Sequence, residues 1–174
     1  KETDKETDKE LILIVDFGSQ YTQLIAKCIR KSNVLSYIIP YHKVESIHLN
    51  DTINFKHIKG VILSGGPKSV LDNNFKMFDL NIFYNIPILG ICFGAQIIAK
   101  KYGETIKKLS LREYGAHEIY LNKDEQILGI DKKSFSVWMS HNDTISTSHN
   151  IDVTAYSAKG AIAAFKIPDK AIYG

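Results

Sequence analysis

Apolar residues in this chain gather into short unbroken runs. Leu11–Val15, Val61–Leu63 and Ile88–Ile91 are each of strand length, and each opens into a turn-rich segment. Unbroken runs suit parallel strands covered on both faces. Val34–Tyr41 predicts a further strand, closed by Pro40. After the turn-rich Asp16–Gln20, residues Leu24, Ile25, Cys28 and Ile29 share one helical face, which predicts a helix with that face buried and Cys28 in the core. Phe75–Tyr84 has mixed helical character, and Gln96–Tyr102 predicts a helix ending at Gly103. Strand and helix signals thus alternate through the first hundred residues. The expected fold is α/β, a doubly wound, mostly parallel sheet flanked by helices. Beyond Gly103 the pattern changes. Ala116–Leu121, Val137–Met139, Ile151–Tyr156 and Ala161–Lys166 predict short strands joined by polar turns, a small antiparallel addition to the sheet.

Composition narrows the picture. A length of 174 residues suits one domain with a substantial core. No run is long enough to span a membrane, and the charged start has no apolar stretch of signal-peptide type. Residues 1–10 repeat Lys-Glu-Thr-Asp without an apolar residue and are expected to be a disordered arm or an appended relic, with the domain over 11–174. The net charge of +3 has no dense basic cluster behind it, so neither nucleic acid nor membrane is an expected partner. The two cysteines, Cys28 and Cys92, lack metal-ligand spacing and are too few for a disulfide framework. A reduced, cytoplasmic setting suits a working thiol, and no metal site is expected.

Cys92 is the candidate for chemistry. Gly90-Ile91-Cys92-Phe93-Gly94 follows an apolar run and matches the strand-turn-helix pattern of a nucleophile elbow, with cysteine as nucleophile. Side chains at the glycine positions would crowd such a turn. The following helix N-terminus favours a thiolate and an oxyanion. The competing assignment, a buried structural cysteine, does not account for the flanking glycines.

Five segments carry a family resemblance. They are Val15–Leu24, Leu63–Val70, the elbow through Gln96, Arg112-Glu113-Tyr114-Gly115, and Val137-Trp138-Met139-Ser140-His141-Asn142-Asp143. In that order and spacing, residues 11–174 resemble a class I (triad-type) glutamine amidotransferase, specifically the glutaminase domain of GMP synthetases. The Val15–Leu24 opening argues against the amidotransferases of anthranilate or aminodeoxychorismate synthesis. The resemblance implies a flavodoxin-like fold. The elbow departs from the family's usual Cys-Tyr-Gly-Met-Gln, and Asn142 stands where glycine is common.

The resemblance also implies the roles of residues. Cys92 would attack the glutamine side-chain amide and form a thioester, with a base moving the proton. Backbone N–H groups of Phe93 and of the Gly65-Gly66 turn would hold the oxyanion, although Gly65-Gly66-Pro67 also reads as a plain strand-to-loop turn. Gln96 would bind the polar head of glutamine, or else face solvent. Ser140-His141-Asn142 resembles the loop whose backbone meets the substrate α-carboxylate and amine. His141 is not assigned as the base, because in the family the base comes later, in a His-Pro-Glu segment beyond the strand ending Ala171–Gly174. The 174 residues end before that segment, so the expectation is a domain impaired as a glutaminase on its own. An unassisted thiol of pKa about 8.5 is only about 3% thiolate at pH 7.

The implied partners are glutamine and a synthetase (ATP pyrophosphatase) domain, in cis or in trans, which would use the ammonia to convert XMP to GMP. ATP and Mg²⁺ are expected in that domain and no cofactor in this one. Dimerisation is expected only with the family's C-terminal domain. A domain of the same fold with a regulatory or scaffolding role is the alternative of a different class. Asp16 serves either turn capping or the active edge. Arg112-Glu113 is either an interface or a solvated pair, and Tyr114 and Trp138 also suit plain packing.

Overall fold

A computed structural model describes residues 9–49, 53–122 and 127–174. The expectation for the first ten residues falls almost wholly outside them.

The first apolar run forms β1 (Leu11–Asp16), and Leu13, Ile14 and Val15 are all at 0% exposure. Consecutive buried residues mean that both faces of the strand are covered, as an unbroken run requires. β1 pairs in parallel with β2 (Leu35–Pro40) on one side and β3 (Ile58–Leu63) on the other. β4 (Ile88–Gly90) pairs in parallel with β3, so Val15, Leu63 and Gly90 stand level across three strands.

α1 (Thr22–Lys31) connects β1 to β2, rotated from the expected orientation. Its inward stripe is Thr22, Ile25, Ala26 and Ile29, whereas Leu24 is 55% exposed and Cys28 is also exposed. Two contacts set the rotation. The Thr22 hydroxyl donates to Asp16 Oδ1 at 2.9 Å, and the Ser36 hydroxyl donates to the Ala26 carbonyl at 3.3 Å. Small side chains bring the helix close to the sheet, and Cys28 turns away from the core.

Between β3 and β4 the expected helical stretch shrinks to a 3-10 turn, Leu80–Phe83, capped by the Asp79 carboxylate accepting from the Asn81 N–H at 3.0 Å. After β4 the chain enters α2 (Phe93–Lys101).

The remaining strands are β5 (Ile106–Leu121), β6 (Ser134–Ile145), β7 (Asp152–Ser157), β8 (Ile162–Lys166) and β9 (Ile172–Tyr173). The sheet has nine strands in the order β2-β1-β3-β4-β9-β8-β7-β5-β6, parallel through β9 and antiparallel beyond. It is a mixed α/β sheet of flavodoxin-like type. The antiparallel part is longer than the apolar pattern suggests, because β5 and β6 form a ribbon of 16 and 12 residues. On that ribbon Tyr114, Ala116, Glu118, Tyr120 and Trp138 face outward, so much of it shows no apolar run. The Arg112-Glu113-Tyr114-Gly115 segment is part of β5. β9 joins the two halves, running parallel to β4 and antiparallel to β8.

Candidate active site

β1, β3 and β4 end at one edge of the sheet, and the segments leaving them form the walls of a crevice. Crevices at the carboxyl ends of parallel strands are the usual ligand sites of such sheets. Here the crevice is an open pocket of about 760 Å³. Cys92, Phe93, Gly65, Gly66, Gln96 and Ser140 all line it.

Cys92 sits at the junction of β4 and α2 with φ 51° and ψ −110°. A non-glycine residue is strained there, and such strain persists only where the surroundings impose it. They do so through two glycines. A Cβ on Gly90 would lie 2.6 Å from the Ala95 nitrogen, and one on Gly94 would collide with the Leu63 carbonyl oxygen. The turn is closed by the Gly94 N–H donating to the Ile91 carbonyl at 3.0 Å and the Gln96 N–H to the Cys92 carbonyl at 3.1 Å. Cys92 reaches solvent, yet the pocket walls withdraw enough water to push its thiol pKa up from the ordinary value. Burial is the cause of that rise, and it opposes the preference of a helix N-terminus for a thiolate.

The turn after β3 faces the thiol. A Cβ on Gly65 would stand 3.5 Å from the Cys92 Cβ, and one on Gly66 would stand 2.6 Å from the Phe17 carbonyl oxygen. Glycine is required at 66 by that close approach. Among the described residues, the Gly66 N–H has no acceptor. The Phe93 N–H opens α2, where helical geometry leaves it without an intrahelical partner. Phe17 and Phe93 hold the two loops together, with ring centroids 5.4 Å apart edge to face.

Gln96 does not lie free on its helix. Its side-chain amide donates to the Asp143 carbonyl at 3.1 Å. The Asp143 carboxylate accepts from the Ser69 hydroxyl at 2.5 Å, and Asp143 is only 7% exposed. Lys100 adds a bond from its ammonium to the Val70 carbonyl at 2.5 Å. α2, β6 and the segment after β3 are thereby tied into one floor. Asp143 lines the pocket and was not among the candidates read from the sequence. The available signal was its place as the last residue of the Val137–Asp143 segment, directly after Asn142.

Ser140-His141-Asn142 lies within strand β6, where a loop was expected. Ser140 pairs with Tyr114 and His141 with Glu113, because the ribbon continues past the apolar Val137–Met139. The side chains of His141 and Asn142 fall outside the described residues, as do those of Arg112 and Glu113. Tyr114 and Trp138 are 70% and 67% exposed and meet edge to face, so their packing is with each other. Asp16 caps its own turn, accepting from the Gly18 N–H at 2.8 Å and from Thr22. Among the described residues no histidine lines the pocket, and no cluster of ligating side chains could hold a metal.

A mixed α/β sheet whose strand-to-helix cysteine turn faces a glycine turn has the architecture of the nucleophile-elbow class of α/β domains. The family description "Glutamine amidotransferase class-I" matches residues 13–174, and the chain belongs to that family. It is 39% identical over 170 residues to a GMP synthase [glutamine-hydrolyzing] of Clostridium kluyveri, covering 96% of this chain and 32% of the relative. It is 41% identical over 169 residues to the protein of the same name in Clostridium tetani, covering 95% and 32%. The chain therefore spans about a third of the length of the curated relatives it matches. Among solved structures, a putative GMP synthase subunit from Thermoplasma acidophilum superposes with a TM-score of 0.76 at 28% identity, covering 95% of this chain and 81% of that one. No helix among the described residues is long and apolar enough to cross a membrane.

Proposed function

We propose that this domain hydrolyses glutamine to glutamate and ammonia through a Cys92 thioester. The observation that carries the reading is the strained Cys92 facing the Gly65-Gly66 turn in an open pocket. The Cys92 sulfur attacks the side-chain amide carbon, and the oxygen takes the negative charge beside the N–H groups of Gly66 and Phe93, in the turn that Gly65 opens. The amide nitrogen takes a proton and leaves as ammonia. Water then attacks the thioester, releasing glutamate and returning the thiol. Gln96, Ser140, His141 and Asn142 are the proposed substrate-binding positions.

The family's base belongs to a His-Pro-Glu segment following the position of Gly174. β9 runs parallel to β4, and a Cβ on Gly174 would stand 3.0 Å from the Ala95 Cβ in the first turn of α2. A chain continuing in that direction comes up beside the elbow. This direction supports the family's choice of base over His141.

The ammonia is proposed to serve amination of XMP to GMP in a synthetase domain using ATP and Mg²⁺, in cis or in trans. The similarity to GMP synthases supports this pathway over anthranilate or aminodeoxychorismate synthesis. The raised pKa of Cys92 is the one observation favouring a non-catalytic scaffold instead. Labelling with a glutamine-shaped chloroketone separates the two. Selective modification of Cys92, blocked by glutamine, is the expected result, and unselective labelling that glutamine does not block would sink the enzymatic reading.

A further inference from the structure

We propose that Ser64 is the positioning residue of the oxyanion site, its buried hydroxyl fixing the Gly65–Gly66 peptide so that the Gly66 N–H faces the pocket. The proposal rests on the assignment of that turn to the oxyanion.

Ser64 is at 0% exposure directly beneath the pocket edge. Its own N–H donates to the Val15 carbonyl at 3.0 Å, extending the β1–β3 ladder by one residue and anchoring its backbone. Its hydroxyl accepts from the Phe17 N–H at 3.0 Å and donates to the Gly65 carbonyl at 2.8 Å. A hydroxyl has a single proton to donate, and the Gly65 carbonyl takes it.

The consequence lies in the peptide plane. A trans peptide aims its C=O and the next N–H in opposite directions. Holding the Gly65 carbonyl inward against Ser64 turns the Gly66 N–H away from the core. Gly66 lines the pocket, and its N–H has no acceptor among the described residues. Two adjacent glycines allow the backbone close to Phe17 and to Cys92, but they also leave the peptide free to flip. The Ser64 bond removes that freedom. Because the same hydroxyl holds Phe17, whose carbonyl presses on Gly66, the two loops that frame the site are aligned by one atom.

The test compares two reagents on Cys92 in wild type and Ser64→Ala. The glutamine-shaped chloroketone builds an oxyanion as it reacts, whereas iodoacetamide alkylates the same thiol by direct displacement. Their rate ratio cancels any change in thiolate fraction. For Ser64→Ala the expected result is a fall of about tenfold or more in the chloroketone rate relative to iodoacetamide, in line with weakening one oxyanion donor. Ser64→Thr keeps a hydroxyl and should recover most of the ratio. If Ser64→Ala does not fold, Ser64→Cys carries the test, because its weaker, longer bonds should give a reduced ratio. A ratio equal to wild type in the variant that folds overturns the proposal, as does an equal loss of both rates. Failure of wild type to react selectively with the chloroketone would instead sink the enzymatic reading itself.

Discussion

Gln96 reaches from α2 to β6, where its side-chain amide donates to the main-chain carbonyl of Asp143 at 3.1 Å. The bond spends one amide hydrogen on the scaffold and holds the side chain at the pocket wall. Gln96→Leu should therefore weaken glutamine binding while leaving the fold intact. The expected change is about a tenfold rise in the glutamine concentration that protects Cys92 from chloroketone, the loss of roughly one hydrogen bond to a charged group. Protection at an unchanged concentration would remove Gln96 from the binding site.

The glycines of the elbow predict a sharp contrast in stability. Gly94→Ala drives a Cβ into the Leu63 carbonyl, whereas Gly160→Ala meets nothing within 4 Å and bears only the strain of its positive φ. Overpacking against fixed backbone costs about 3 kcal/mol, and a left-handed alanine about 1 kcal/mol. At roughly 3 °C per kcal/mol, thermal melts should show a drop of about 10 °C for Gly94→Ala and about 3 °C for Gly160→Ala. Similar drops in the two melts would contradict the packing described for the elbow.

Cys92 should titrate late. Burial disfavours its thiolate, so its pKa lies above the ordinary cysteine value. In a Cys28→Ser background, the iodoacetamide rate of the 174-residue chain should keep rising as pH passes through the ordinary cysteine range. A plateau already reached near neutrality would show instead that the helix terminus prevails over desolvation.

Glu104 makes stability depend on pH. It is 4% exposed, and its carboxylate accepts from the Thr147 hydroxyl and from the Asn150 N–H at 2.5 Å, tying the end of α2 to the turn after β6. Burial pushes its pKa up, but the bonds from Thr147, Asn150 and His149 together with the His149 charge outweigh that, and the net shift is downward. The depressed value means that the folded state prefers the carboxylate. The contribution is complete above the ordinary glutamate pKa and is lost as pH falls through the depressed one. Glu104→Gln should lower stability by about 1–3 kcal/mol at neutral pH and flatten the acid limb of the denaturation profile. Urea titrations at neutral pH and across the acid limb would reveal both effects.

The parallel half of the sheet was legible because each of its central strands is covered on both faces and so reads as an apolar run. The elbow was legible for a related reason. The residues that permit the turn, Gly90 and Gly94, lie two positions to either side of Cys92, which sits in it. The orientation of α1 was not legible, since periodicity gives a helix a stripe without its rotation. Thr22–Asp16 and Ser36–Ala26 set that rotation, and they leave Cys28 outside. The length of the β5–β6 ribbon was hidden in the same way, because its outer face meets water and shows no run.

Asp143 and Ser64 mark the boundary between the two kinds of information. Asp143 meets Ser69 and Gln96 at separations of 74 and 47 residues, and Ser64 meets Phe17 across 47. Local sequence was enough to place Cys92 at a tight strand-to-helix turn, because turn geometry acts within a few residues. The crevice itself depends on strand order. Three parallel strands level at Val15, Leu63 and Gly90 deliver three distant segments to one edge, and no short stretch of chain encodes that pairing.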